Sequence, residues 1–428
     1  MRLGGKLAAA IEVLEDIERR HRPAADALRD WGLSHRFAGS GDRAGIGNIV
    51  YDALRRKRSA GWLLDDDSPR ALAFGALLLE WGEAPESLAA ALDGDRFAPP
   101  PLSEAEIAAC SLRDLDAAPD AVRADCPDWC APLLAAAYGD GWVAEGQGLA
   151  SRPPLDLRVN RLKADRDKVL AALRGSGAVP LATLPDALRI PPVAGGGRHP
   201  NVQAEPAFQK GWFEVQDAGS QMAARLAGAA PGMQVLDFCA GAGGKTLAMS
   251  AAMENTGQLF AHDAEKQRLA PIFDRLKRAG CRNVQVVSDA ADLASHEAQM
   301  DLVLVDAPCT GSGTWRRRPD AKWRLTDRQL AARVAEQASI LDAAAAHVKP
   351  GGRLAYVTCS VFAEENERQV AAFRERSAAF VAEDHREFWR RAFDLDEAGA
   401  LIDPVTGIRL SPARTGTDGF YVAILRRD

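Results

Sequence analysis

The sequence lacks any apolar run approaching the roughly 18–20 residues of a membrane-spanning helix, so we expect no membrane contact. It also lacks a signal-peptide core, because Glu12 and Glu15 interrupt the first apolar stretch, which has the pattern of an amphipathic helix. Cysteine is scarce: the seven cysteines are scattered and never spaced as CxxC. This excludes a disulfide framework and a zinc site, and it is typical of a reducing compartment. We therefore expect a cytoplasmic protein without a bound metal.

Excess positive charge is absent too, since the formal net charge is -6. The acids are concentrated, however: residues 61–150 hold 17 acids and 4 bases, which leaves the rest of the chain at +7. Because phosphate binding depends on local patches, the overall acidity does not exclude a nucleic acid partner. For the run Arg55-Arg56-Lys57-Arg58, a solvated helix face and a phosphate contact are both open interpretations.

The length of 428 residues predicts two or three domains. Residues 1–140 show helical apolar spacing and predict an all-helical domain, in which Ser103 and Glu106 form a capping box. Residues 141–220 mix strand and helix patterns and predict a small α+β subdomain. One of its strands carries polar and basic residues, which favour either an RNA-facing surface or a plain exposed sheet face: Arg158, Asn160, Arg161 and Lys163.

Residues 221–428 alternate strand-like apolar runs with helical stretches, the pattern of a parallel sheet covered by helices on both faces. The five strand patterns are MQVLDFCA, QLFAHDAE, VQVVSDAA, MDLVLVDAPC and GGRLAYVTCS, and the closing FYVAIL predicts a last strand. A capping box at Thr326 and Gln329 begins the long helix before the fifth strand. We predict a doubly wound α/β domain of the Rossmann type.

The first of these strands leads into a glycine-dense turn within VLDFCAGAGGKT, residues 235–246. A phosphate-binding P-loop needs a glycine five residues before the Gly of GK[ST], and Cys239 occupies that position. The P-loop is therefore excluded. A nucleoside pocket and an ordinary strand-to-helix turn remain for these residues: Cys239, Ala240, Gly241, Ala242, Gly243, Gly244 and Lys245.

Four of the five strands end in aspartate: Asp237, Asp263, Asp289 and Asp306. In a parallel sheet these carboxyl ends open on one crevice, where ligands bind. A single aspartate after a strand is commonly a helix cap, but four behind a glycine turn favour a ligand pocket. Asp263 is placed to accept from ribose hydroxyls, and Asp289 from the amino group of a base.

Cys309, in DAPC, and Cys359, in TCS, each follow a strand of the same sheet. A lone cysteine is most often a small buried hydrophobe, but two at one sheet edge favour nucleophilic chemistry over a redox pair. A thiolate that adds to carbon 6 of cytosine makes carbon 5 nucleophilic toward an electrophilic methyl group. Asp306 can assist at N3, and the second cysteine can help release the product. A sulfonium methyl donor suits a pocket of small residues and acids.

Six stretches, in order, make the chain resemble the RNA cytosine-5 methyltransferases of the bacterial RsmB (Sun/NOP2-like) family: RVNRL, VQDAGSQ, VLDFCAGAGGKT, DAPCTGSGTWRRRPDAKW, VTCSVFAEENERQV and GTDGFYVAIL. The resemblance is close over residues 150–428. It is looser over the N-terminal domain, which is similar to a NusB-like RNA-binding domain. The family also implies an RRM-like fold for the small subdomain.

The resemblance implies S-adenosylmethionine as cofactor and small-subunit (16S) ribosomal RNA as partner of a monomeric enzyme. It implies Cys359 as the nucleophile, Cys309 as the cysteine that aids release, and Asp306 beside them. The implied cofactor contacts are residues 239–245, Asp263, Asp289 and Asp306. The family usually reads CAAPGGKT, so Gly241-Ala242 replaces Ala-Pro and exchanges a rigid φ for a flexible one.

A basic, aromatic stretch follows Cys309: Trp315-Arg316-Arg317-Arg318 and Lys322-Trp323-Arg324. We expect it beside Cys309, where it suits a flipped-out nucleotide and the flanking phosphates. Two rival functions stay open. A catalytically silent RNA-binding or assembly factor is disfavoured by the retained cysteines. An amino-group methyltransferase is disfavoured because DAPC stands where such enzymes carry an NPPY-like motif.

Overall fold

The computed structural model describes residues 1–393 and 399–428. The chain forms two compact units. The first, the helical unit, comprises Met1–Pro153, Pro192–His199 and Trp315–Leu325. The second, the α/β unit, comprises Pro154–Pro191, Pro200–Thr314 and Thr326–Asp428. None of the described helices has both the length and the hydropathy that crossing a bilayer requires.

The N-terminal stretch of the helical unit is a succession of α-helices. They are α1 (Leu3–Arg20), α2 (Ala24–Ser34), α3 (Ser40–Arg55), α4 (Lys57–Leu64), α5 (Pro69–Leu79), α6 (Pro85–Leu92), α7 (Glu104–Leu112), α8 (Asp120–Arg123), α9 (Ala131–Tyr138) and α10 (Trp142–Ala150). Leu7, Ala10 and Leu14 recur at helical spacing on α1, and this face joins the buried core that also contains residues of α3 and α5. The domain boundary predicted at residue 140 falls inside this unit, just before α10.

The α/β unit begins with a small antiparallel sheet in the order β2-β3-β1-β4. Its strands are β1 (Leu155–Val159), β2 (Val179–Pro180), β3 (Ala187–Ile190) and β4 (Phe213–Val215), and its helices are α11 (Arg166–Ala172) and α12 (Pro206–Gln209). Leu157, Leu188 and Phe213 of the sheet pack with Val169 of α11 in one buried cluster. The predicted small α+β fold is confirmed.

The larger sheet of the described residues contains nine strands. They are β5 (Gln234–Asp237), β6 (Gln258–His262), β7 (Val284–Val287), β8 (Met300–Asp306), β9 (Val348–Thr358), β10 (Phe380–Ala382), β11 (Leu401–Asp403), β12 (Gly407–Leu410) and β13 (Phe420–Arg427). Strands β9-β8-β5-β6-β7 are parallel, in that order, and β10 to β13 add antiparallel pairs beside β9. The five predicted parallel strands and the last strand are confirmed.

The remaining helices connect these strands. They are α13 (Ala218–Leu226), α14 (Gly244–Ala252), α15 (Lys266–Leu269), α16 (Ile272–Ala279), α17 (Ala290–Leu293), α18 (Pro319–Arg324), α19 (Asp327–Ala345), α20 (Glu367–Arg376), α21 (His385–Ala392) and α22 (Pro412–Thr415). Of these, α18 belongs to the helical unit. Both predicted capping boxes are confirmed: Ser103 accepts from the amide of Glu106 at the start of α7, and Thr326 from that of Gln329 at α19.

The central strand β5 sets the position of the site. Val235 and Leu236, consecutive residues of β5, point to opposite faces of the sheet. Both are fully buried, each in a different hydrophobic cluster, so the sheet is covered on both faces as predicted. Strand β5 pairs with β6 on one side and with β8 on the other. The strand order therefore reverses at β5, and in such folds the crevice at the carboxyl ends beside this reversal receives ligands.

Candidate active site

Two glycines in left-handed conformation shape the turn between β5 and α14. Gly241 has a φ of 51° and Gly243 a φ of 84°. A Cβ on Gly243 would lie 2.5 Å from Cγ1 of Ile272, so both the backbone angle and the space require glycine there. The amide of Gly241 donates to Oδ2 of Asp263 at 2.9 Å. This hydrogen bond connects the turn to Asp263, the acid that follows β6.

Two arginines hold this turn through its carbonyls. Arg158 donates from Nη1 to the carbonyl of Gly244 at 2.8 Å, and Arg275 donates from Nη1 to the carbonyl of Ala242 at 2.7 Å. Burial lowers the pKa of Arg158 to about 10, and the charge of Glu214 counteracts this. The guanidinium remains charged at neutral pH, and it is bonded inside the protein.

For Arg158 and Asn160, on and just after β1, both interpretations left open, an RNA-facing surface and an exposed sheet face, are therefore wrong. Arg158 supports the turn, and Nδ2 of the buried Asn160 donates to the carbonyls of Gly211 and Ala279, each at 2.8 Å. Arg161 differs, because 69% of its side chain is exposed. A period-two strand pattern separates the faces of a strand but does not say which face another layer covers.

Asp306, at the end of β8, is paired with Lys245 of the turn. Nζ of Lys245 donates to Oδ2 of Asp306 at 2.6 Å. Asp263 and Asp306 both lie close to Asp237, because the charge of each raises the pKa of Asp237. Three of the four predicted acids therefore lie near one another beside the turn.

The fourth predicted acid, Asp289, has a different environment. It is exposed, and its Oδ1 accepts from the amide of Ala291 at 3.0 Å, so it caps the short helix α17. The cap does not use the second carboxylate oxygen. A contact between Asp289 and a ligand stays a prediction.

Asp237 lies fully inside the protein, where only Thr246 bonds it among the described residues. The hydroxyl of Thr246 donates to Oδ2 at 2.6 Å, whereas Oδ1 is buried without a partner. Burial raises the pKa of Asp237 to about 7, opposed by the bond from Thr246 and aided by the charge of Asp306. The neutral carboxyl is the form that this environment favours.

This pKa predicts that folding stability falls as pH rises. The folded pKa of about 7 lies above the ordinary value of 3.8, so the contribution of Asp237 is complete below pH 4 and lost as pH rises through 7. We expect Asp237→Asn, which stays neutral, to flatten the decline in unfolding free energy between pH 4 and pH 7 by roughly 2–4 kcal/mol. Denaturant unfolding at a series of pH values measures this, and parallel profiles for the two proteins would contradict it.

The two predicted cysteines are in contact. Sγ of Cys309 lies 3.4 Å from Sγ of Cys359, just past the carboxyl ends of β8 and β9. The hydrogen bond with Cys359, followed by burial and by the charges of Cys359 and Glu365, holds the pKa of Cys309 well above its usual value. Cys309 therefore keeps its proton at neutral pH, in contact with the sulfur of Cys359.

Sequence reasoning missed the two buried residues that anchor both cysteine loops, Glu365 and Asn366. Oε1 of Glu365 accepts from the amide of Thr310 at 2.8 Å and from Nε2 of Gln337 at 2.9 Å. Nδ2 of Asn366 donates to the carbonyl of Ser360 at 2.9 Å. The signal was present in TCSVFAEENE, where an acid and an amide follow the cysteine, but no local pattern says that they point inward.

Three members of the basic, aromatic stretch after Cys309 are buried, whereas phosphate contact through the exposed Arg318 stays a prediction. Trp315, Arg316 and Lys322 are almost fully buried in the helical unit, so their predicted contact with a flipped-out nucleotide is wrong. Lys322 donates to the carbonyl of Asp125, and burial lowers its pKa to about 8. The earlier run at residues 55–58 is likewise paired: its arginines contact Asp52, Glu80, Asp125 and Asp128.

Comparison with known proteins relates this geometry to a family. The family described as 16S rRNA methyltransferase RsmB/F matches residues 226–426, and the ferredoxin-like domain of RsmF/B-like methyltransferases matches residues 126–192. The ribosomal RNA small subunit methyltransferase B of Escherichia coli is 39% identical over 304 residues, which cover 70% of this chain and 66% of that protein. The chain thus spans about two thirds of the length of the curated relatives it matches.

Two solved structures share the fold. The crystal structure of PH0851 superposes over 100% of both chains with a TM-score of 0.72 and 24% identity. That of NSun6 from Pyrococcus horikoshii with SFG covers 70% of this chain and 98% of that one, with a TM-score of 0.61 and 22% identity. These likenesses and the family match confirm the predicted methyltransferase fold, with its helical N-terminal region and small α+β subdomain.

Proposed function

The chain belongs to the RsmB/F family of 16S rRNA methyltransferases, which depend on S-adenosylmethionine, and from this premise we propose that it methylates carbon 5 of a cytosine in small-subunit ribosomal RNA. The proposed enzyme acts as a monomer in the cytoplasm. The cysteine pair carries the proposal: two thiols 3.4 Å apart lie just past the carboxyl ends of β8 and β9. Methylation through a cytosine adduct uses a thiol as the nucleophile, whereas methylation of an amino group does not.

The region around the glycine turn suits S-adenosylmethionine. When bound, this cofactor supplies an electrophilic methyl group on a positively charged sulfur. Oδ1 of Asp237 is a buried acceptor without a partner among the described residues, and a Cβ on Gly241 would meet no atom closer than 3.6 Å. The carboxylates of Asp263 and Asp306 beside the turn suit a ligand that carries hydroxyls and a positive charge. We assign cofactor binding to residues 239–245, Asp263, Asp289 and Asp306.

In the proposed mechanism, the sulfur of Cys359 bonds to carbon 6 of the target cytosine and makes carbon 5 nucleophilic. As this bond forms, the thiol of Cys359 gives up its proton and N3 gains one; Asp306 is assigned to pass this proton to N3, while Lys245 holds the other carboxylate oxygen. After carbon 5 is methylated, it must lose its proton, and the bond between Cys359 and carbon 6 must break. Cys309 is assigned to this release, because its thiol already touches the sulfur that leaves.

Both rival functions have less support. A silent assembly factor has no use for two thiols in contact, nor for the buried Glu365 and Asn366 that hold their loops. An amino-group methyltransferase places its acceptor nitrogen by hydrogen bonds and needs no nucleophile.

The decisive experiment maps 5-methylcytosine in ribosomal RNA from cells with and without the gene. We expect one cytosine of the small-subunit RNA to be methylated only when the gene is present, and purified protein with S-adenosylmethionine to restore the mark. An unchanged methylation map with accumulated assembly intermediates would favour the assembly factor. A change confined to amino groups would favour the other rival.

Gly241 gives a test of the cofactor assignment. Alanine at a φ of 51° costs about 1–2 kcal/mol, so we expect Gly241→Ala to displace the turn and weaken cofactor binding about five- to thirtyfold. Calorimetric titration with S-adenosylmethionine measures this. Gly232→Ala is the matched control, because Gly232 has a φ of 85° and open space in a turn before β5. Equal affinities for the two variants would remove the turn from the proposed site.

A further inference from the structure

A pocket of about 820 Å³ lies within the helical unit, apart from the residues assigned to catalysis. Its walls come from α1, from the end of α2 with the turn that follows, and from the segment after α6. The volume falls within the roughly 300–1,000 Å³ of pockets that hold small ligands. The described residues that line it are unusually aromatic for a chain with 6% aromatic residues.

One wall of the pocket consists of three rings in contact, those of Trp31, His35 and Phe37. Trp31 stacks on His35 with their centroids 4.3 Å apart and an interplanar angle of 12°, and Phe37 meets the edge of His35 at 5.8 Å. On another wall, the guanidinium of Arg96 lies 4.6 Å from the centroid of Phe97. Phe37 is 73% exposed and Phe97 is 62% exposed. Planar surfaces that a flat ligand can stack on therefore line the pocket from two segments of chain.

The pocket carries charges of both signs. Each of its acids accepts one hydrogen bond from a neighbouring group: Glu12 from Nε1 of Trp31 at 2.9 Å, and Asp95 from the amide of Phe97 at 3.1 Å. Its cations, Arg2 and Arg96, have no carboxylate within 4 Å among the described residues. Stacking surfaces beside guanidiniums that form no ion pair match a nucleotide, which joins a flat base to a phosphate.

We propose that this aromatic pocket binds an unstacked nucleotide of single-stranded RNA, with the base on the exposed rings and the backbone phosphate at Arg2 and Arg96. The proposal rests on the proposed function only in taking RNA as the partner. A peptide would also cover exposed rings, but an apolar peptide does not compensate two unpaired guanidiniums. Through this pocket the helical unit would bind a loop or single-stranded segment of the substrate RNA with little sequence preference.

The test uses the full chain and a fluorescent single-stranded RNA of mixed sequence, with its duplex as the second ligand. We expect Phe37→Ala and Phe97→Ala each to weaken single-strand binding about five- to a hundredfold in anisotropy titrations, with little effect on the duplex. Arg96→Gln should weaken RNA binding. It should also reduce the slope of log K for RNA binding against log salt concentration by about the amount that one phosphate contact contributes. Leu33→Ala is the control: Leu33 is 62% exposed on α2 but does not line the pocket, so its variant should bind as wild type.

Photocrosslinking with 4-thiouridine RNA should label peptides that contain Phe37 or Phe97. Wild-type RNA affinity in both phenylalanine variants, or loss of binding only to a protein partner, would overturn the proposal. Cofactor binding and thermal unfolding of the same variants show that they are folded. If the variants lose RNA affinity while wild type methylates no cytosine, the pocket stands and the proposed function falls. If wild type methylates a cytosine and the variants bind RNA normally, the proposed function stands and the pocket proposal falls.

Discussion

We expect Cys359→Ala to abolish methyl transfer to RNA and to leave the affinity for S-adenosylmethionine unchanged. The variant lacks the sulfur that must bond to carbon 6, and without that bond carbon 5 stays a poor nucleophile. Removing a nucleophile from an enzyme of this kind lowers turnover by roughly 10⁴-fold or more. The sulfur is not among the residues assigned to the cofactor, so calorimetric affinity should be retained. Transfer of a radioactive methyl group to small-subunit RNA measures the first effect.

Cys110→Ala is the matched control for this loss, since Cys110 is a free, half-buried cysteine on α7 of the helical unit. It should methylate RNA as wild type does. Substantial activity in Cys359→Ala would refute the covalent mechanism. Loss of cofactor affinity in that variant would instead assign Cys359 to the cofactor site.

We expect Cys309→Ala to remain covalently bound to its RNA. Attack by Cys359 is still available to this variant, but the neighbouring thiol assigned to release is gone, so the protein–RNA adduct accumulates. Loss of one proton-transferring group slows a step by about 10²–10⁴-fold. We therefore expect a band of increased mass on denaturing gels that depends on both RNA and S-adenosylmethionine, together with slow turnover.

The double variant Cys309→Ala/Cys359→Ala supplies the control for this adduct. It should form no adduct, because the attacking sulfur is missing. An adduct that persists in the double variant would point to another nucleophile. Absence of any adduct in Cys309→Ala, with Cys359 intact, would remove Cys309 from the release step.

Repeating local patterns made much of the fold predictable. The five parallel strands follow from apolar runs separated by helices, and the capping boxes follow from pairs three residues apart. The hairpin of β11 and β12 was not predicted. Its turn depends on Asp403, which accepts from the amides of Val405 and Thr406, and one such turn between short strands gives little periodic signal.

Charged residues were harder to place. Lys322 and Arg316 have the sequence pattern of a basic RNA-binding patch, yet both are buried in the helical unit. Lys322 is compensated by the carbonyl of Asp125, 197 positions away along the chain. A sequence pattern records that a charge is present, but not the distant group that desolvates and satisfies it.

The sequence by itself determined the succession of strands along the chain, the glycine turn, and the positions of acids and cysteines directly after the strands. These follow from local periodicity, together with the rule that parallel strands point the same way. Only the tertiary structure decided that Cys309 touches Cys359, that Arg158 supports the turn, and that Glu365 and Asn366 anchor both cysteine loops. The physical reason is that hydrogen bonding and burial of polar groups depend on partners brought together by the fold, across 50 residues for the thiols and 86 for Arg158 and Gly244.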